Sequence, residues 1–166
     1  MGTNERVARR AAATVLVTLA AVGCGGVVEK GDVSPDAVEK KAHMLAQQTL
    51  EAIRPVAGSG PASVGSAEWD KCKTETPGAH RFEYTYVLNV KVPQAQAKAV
   101  MDAAKDYFAK KGYELDPPDG EGKRAGATLP KSTWTVGLGV ADSSTIVIQA
   151  DSDCVFTTHD PAAKRG

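Results

Sequence analysis

RFEYTYVLNVKV, residues 81–92, is the stretch on which the reading of this chain turns. Phe82, Tyr84, Tyr86, Leu88, Val90 and Val92 occupy every second position, and Arg81, Glu83, Thr85, Asn89 and Lys91 fill the gaps, with Val87 the one apolar intruder. Successive side chains of a strand point to opposite faces, so this stretch has one apolar and one polar face. Such a strand belongs to an antiparallel sheet with one face on a core and the other towards water.

Downstream, Pro93 ends the strand and opens a helix whose apolar face is Ala97, Val100, Met101, Ala104 and Phe108, widened by Tyr107. Lys110 and Lys111 followed by Gly112 make a helix C-terminus, with cations at the negative end of the dipole and glycine as the stop. Short strands are expected at 113–115 and 125–129, with a turn at 117–120. Residues 133–141 alternate strictly, with Trp134, Val136, Leu138 and Val140 inward. Asp142-Ser143 turns the chain, and 145–151 returns with Ile146, Ile148 and Ala150 inward. The same parity carries Cys154 to the core side of the sheet or its edge.

Upstream, Ser34-Pro35-Asp36 has the signature of a helix start. Val38, Ala42, Leu45, Ala46, Thr49, Leu50 and Ile53 recur at helical spacing until Pro55, which is expected to stop the helix. Residues 56–68 are rich in Gly, Ser, Ala and Pro, show no period and read as a long loop. Trp69 then stands where it could cover a disulfide made by Cys72. The whole is an α+β two-layer sandwich, with two helices on one face of an antiparallel sheet of about four strands. Residues 81–92 and 113–115 are candidate neighbours, since one helix connects them.

The N-terminal residues read as an address. Arg6, Arg9 and Arg10 precede an uncharged stretch, 11–22, too short to span a bilayer comfortably but fitting the apolar region of a secretory signal. It ends Leu19-Ala20-Ala21-Val22-Gly23-Cys24. This resembles the bacterial lipobox, with Ala21 standing where leucine is preferred. The resemblance implies cleavage after residue 23 and lipidation of Cys24. Arg9-Arg10 also resembles a twin-arginine signal, but alanines follow it where bulky apolar residues are usual, which favours the general secretory route. The expected organisation is a signal at 1–23, a tether at 24–33, the domain at 34–158 and a polar tail at 159–166.

Of the three cysteines, lipidation of Cys24 leaves Cys72 and Cys154, which can pair in only one way in an oxidising compartment. No CxxC or HxxxH accompanies them to suggest a metal. The 20 basic and 20 acidic residues balance, and removal of the arginine-bearing signal leaves a mildly acidic remainder, a poor match for nucleic-acid binding.

With Gly23-Cys24, Trp69-x-x-Cys72, Gly112-Tyr113, Trp134-Thr135-Val136 and Asp153-Cys154, the chain resembles small actinobacterial lipoproteins without assigned function. The resemblance implies anchoring on the outer face of the plasma membrane and supplies no catalytic residue or cofactor. Of His43, His80 and His159, none has a neighbour spaced to orient it, and neither G-x-S-x-G nor HExxH occurs. The expectation is therefore a non-catalytic envelope module binding a protein, a cell-wall component or a small molecule; the alternative is a small envelope hydrolase. A lipid carrier would need a wide cavity, which alanine-rich helices disfavour. The working surface expected of a binding module is the sheet's open face, with Arg81, Thr85, Val87, Lys91, Thr135 and Val147, where Gly137 and Gly139 would let a partner approach the backbone.

Overall fold

In the computed structural model, which describes residues 33–73, 80–157 and 160–161, the alternating stretch forms a strand, Arg81–Lys91, flanked on both sides by others. In chain order the elements are α1 (Pro35–Ala57), β1 (Ala62–Lys71), β2 (Arg81–Lys91), a 3-10 turn (Gln94–Gln96) running into α2 (Ala97–Lys110), β3 (Glu114–Leu115), β4 (Arg124–Thr128), β5 (Thr135–Asp142), β6 (Thr145–Asp151) and β7 (Val155–Phe156). All strand pairs are antiparallel, in the order β1-β2-β6-β5-β4-β3, with β7 pairing with β2 beyond the end of β6.

Both helices lie on one face, as the two-layer reading requires. Phe82, Tyr84, Tyr86, Leu88 and Val90 of β2 are buried, as are Val136 and Leu138 of β5 and Ile146, Ile148 and Ala150 of β6. They meet Val38, Ala42, Leu45, Ala46, Leu50 and Ile53 of α1 and Val100, Met101, Ala104 and Phe108 of α2 in one core. Each large apolar side chain buried here contributes about 1.5–3 kcal/mol. Thr49, fully buried in the α1 stripe, satisfies its hydroxyl by donating to Leu45 O at 2.9 Å.

Among the described residues the sheet has seven strands rather than about four. The largest addition is β1, which occupies most of the expected loop. β1 is an edge strand that the helices cover only at its end, at Ala67 and Trp69; among its ten residues only Trp69 is buried. With so little of one face covered it needs no apolar alternation along its length, so its sequence carries no period. A bulge between Val64 and Ser66, at Gly65, interrupts its ladder with β2. Bulges and charges on an edge strand hinder pairing with another chain, and Glu68, Asp70 and Lys71 supply the charges.

Three further expectations change. Pro55 lies inside α1, which runs on to Ala57 and ends at Gly58 with φ +76°. A proline this near the end removes one backbone hydrogen bond of the last turn, and the Arg54 guanidinium ties the exit by donating to Gly58 O and Gly60 O. Strand β3 is not beside β2 but at the opposite edge, separated from it by β6, β5 and β4. Trp69 faces α1 and Tyr84 (ring centroids 5.0 Å apart), whereas Cys72, of opposite parity, shares a face with Arg81, whose carbonyl accepts the Cys72 N–H at 3.0 Å.

Candidate functional site

The face of the sheet turned away from the helices is built from the odd-numbered residues of β2 and β6 and their partners. The register sets them in rows: Thr85, Asp151, Thr135 and Thr128; then Val87, Gln149, Gly137 and Gly126; then Asn89, Val147, Gly139 and Arg124. Gly126 and Gly137 are direct cross-strand partners, and Gly139 lies two residues along β5. Three neighbouring positions therefore carry no side chain, and the sheet backbone is laid bare at Gly137 and Gly139.

A trough of about 460 Å³ follows, walled by Val147, Gln149 and Asp151 of β6 on one side and by Asp116 and Arg124 on the other. The Asp116 carboxylate lies directly over Gly126, where a Cβ would strike it, and the Asp116 N–H donates to Gly126 O at 2.9 Å. At Gly137 a Cβ would meet Ala125 O at 3.1 Å, whereas at Gly139 the nearest atoms would be 3.7 Å away, so the space above Gly139 is open.

Asp151 organises the rim. Its carboxylate accepts from Thr85 Oγ1 (2.8 Å), Thr135 Oγ1 (3.2 Å) and Gln149 Nε2 (2.9 and 3.0 Å), tying β2, β5 and β6 together on the open face. Charged acceptors with several donors make the stronger class of hydrogen bond. Beside this group, the Glu83 carboxyl is held above the ordinary glutamate range, first by partial burial and then by the charges of Asp151 and Asp70.

All six expected binding-face residues lie on this face but do not form one patch. Thr135 and Val147 line the trough. Thr85 reaches its rim through Asp151, and Val87 stands one strand away, beside Gln149. Lys91 is at one end of β2, its Nζ donating to Thr145 Oγ1 at 2.8 Å, and Arg81 is at the other end, about 33 Å away along the strand. Asp116, Arg124 and Gly126 were not among the expected binding-face residues, because only the β3–β4–β5 register brings them to Gly137.

Of the cysteines, Cys72 and Cys154 form a disulfide, with Cα atoms 6.2 Å apart. Neither is fully buried, and the bond lies at the β7 end of the sheet rather than in the core. Cys24, with the expected signal and nearly all of the tether, lies outside the described residues, as does His159. His43 Nε2 is 3.1 Å from the Tyr84 hydroxyl, and its ring rests on Tyr86 with centroids 4.0 Å apart. Among the described residues no group of three or more His, Cys, Asp or Glu side chains is placed to hold a metal, and no helix is long and apolar enough to cross a membrane.

No family model matches the chain, and no curated protein is similar to it. Among solved structures, it is similar to the crystal structure of a DUF4853 family protein from Actinomyces odontolyticus, at 16% identity and a TM-score of 0.45, over 82% of this chain and 76% of that one.

Proposed function

We propose that the protein is a lipoprotein anchored through Cys24 on the outer face of the plasma membrane, and that its domain is a non-catalytic binding module whose ligand occupies the glycine-floored trough. The observation that carries the binding reading is the pair Gly137 and Gly139, which exposes sheet backbone between largely polar walls, with Gly126 beside them making room for the Asp116 carboxylate. Small recognition sites combine accessible backbone with a few placed polar groups. Here Asp116, Arg124, Gln149 and Asp151 offer both charges, donors and acceptors, so a polar ligand of mixed charge fits best: a peptide segment, a cell-wall fragment or a small molecule. Asp151 already accepts from three side chains, which suits a fixed recognition group better than the general base a hydrolase would need.

The anchoring reading is tested in cells with Cys24→Ala, which should be released or left unprocessed; normal processing and membrane retention of that variant would refute it. The binding reading is tested by crosslinking the tethered parent in intact cells, identifying what it holds, and repeating the capture with the trough filled.

A further inference from the structure

We infer that the β7 end of the sheet is a bilayer-facing surface, on which Phe156, Pro130 and the Arg81 guanidinium seat the domain against an anionic phospholipid. The inference rests on lipidation of Cys24 and goes beyond it by naming the surface that meets the lipid. The Val33 N–H donates to Phe156 O at 3.0 Å, so Val33, the described residue nearest to Cys24 in the chain, is held against β7. From Val33 to Cys24 is about nine residues, whose reach is at most about 30 Å when fully extended. An anchor at Cys24 therefore keeps this end within about 30 Å of the membrane.

The chemistry of this end suits that position. A depression of about 920 Å³ opens beside Val33, with Leu129, Pro130, Val155 and Phe156 among its walls. Phe156 is 43% exposed. The Arg81 guanidinium stands 5.0 Å from the Phe156 ring centroid, a pair with one apolar and one charged end, as an interfacial residue set requires. Among the described residues Arg81 makes one long side-chain hydrogen bond, from Nη2 to Cys154 O at 3.4 Å, and its Nε is buried without a partner. The outer end of the fork, at Nη1 and Nη2, keeps donors for a phosphate, whose geometry a guanidinium matches. At the rim Lys131, the only non-glycine described residue with positive φ (+58°), adds a second cation beside Pro130. Glu114 and Asp153 share the lining and balance the two cations, so the phosphate is recognised by the directed guanidinium donors and not by a net positive charge; the Asp153 carboxylate is turned to Thr133, whose N–H and hydroxyl donate to it.

The test uses the full-length lipidated protein in vesicles of phosphatidylcholine and phosphatidylglycerol doped with a phosphatidylglycerol carrying a diazirine next to its headgroup. After photolysis, peptide mapping should place the label on Phe156 and on 130–131, at least fivefold above Met44 and Val64, two exposed apolar residues elsewhere. Arg81→Gln and Phe156→Ser should each lower labelling at 130–131 severalfold while flotation with the vesicles is unchanged. Should Phe156→Ser fail to fold, Arg81→Gln carries the same readout. A parent that floats but is labelled evenly, or is not labelled at Phe156, or is unaffected by Arg81→Gln, overturns the inference and leaves the anchoring reading intact. A parent that does not float overturns both.

Discussion

The Trp69 indole N–H donates to the Glu39 carboxylate at 2.8 Å, joining the edge strand β1 to helix α1 across the helix-side face of the sheet. Trp69 is the only buried residue of β1, and its ring lies 5.0 Å from that of Tyr84. This contact gives the edge strand a packed anchor. Trp69→Phe keeps most of the ring and loses the hydrogen bond, and should cost about 1–2 kcal/mol in chemical denaturation. Trp69→Ala also opens a cavity and should cost about 3–5 kcal/mol. If both variants unfold with the parent's midpoint, β1 is not held by this residue.

Cys72 and Cys154, separated by 82 residues, should appear as one crosslinked pair in peptide maps prepared without reductant. In the chain-entropy account a loop of this length stabilises by about 4 kcal/mol. Replacing both cysteines by serine should lower the denaturation midpoint accordingly. Two free thiols in protein purified from the envelope would contradict the pairing.

Glu83 provides a pH-dependent expectation. Its carboxyl is raised by partial burial and by Asp151 and Asp70. A raised carboxyl binds its proton more tightly in the folded than in the unfolded chain. Its favourable contribution is therefore full below the ordinary glutamate value of about 4.3 and is lost as pH rises through the raised value. Glu83→Gln should accordingly be more stable than the parent at pH 7, by a few tenths of a kcal/mol since the group is exposed and screened. The difference should shrink as pH falls towards 4. A gain that is constant over pH 4–7 would assign the effect to something other than this ionisation.

Gly139→Val tests the trough. The space above Gly139 is open to ordinary van der Waals distance, so the substitution should change stability by less than about 1 kcal/mol. Valine is also a better strand former than glycine. The variant should fold and lose the ligand captured by the parent. Undiminished capture by a folded Gly139→Val protein would exclude the trough as the site.

The wider open face is probed by Arg81→Glu, Val87→Asp and Lys91→Glu combined. These positions lie outside the trough walls, on the polar side of β2. The triple variant should stay folded and keep a ligand seated on Gly137 and Gly139. Losing that ligand while Gly139→Val keeps it would move the site from the trough to β2.

What the sequence by itself determined is whatever one element encodes within its own length. The alternation at 81–92 and 133–141 named the buried face of β2 and β5, and the spacing from Val38 to Ile53 named the buried stripe of α1. These patterns are legible because burial on one side of a regular element forces a period onto its sequence. Cys72 and Cys154 were legible by count. The tertiary structure alone decided the rest. β1 carries no period because the helices cover it only around Trp69, so its ladder to β2 is what makes it a strand. The trough is the same case: Gly137 and Gly139 announced a bare patch of strand, but Gly126 comes to Gly137, and Asp116 over Gly126, only through pairing between separate segments. Register is a relation between two stretches of chain, set by the packing of the whole sheet, and neither stretch records it alone.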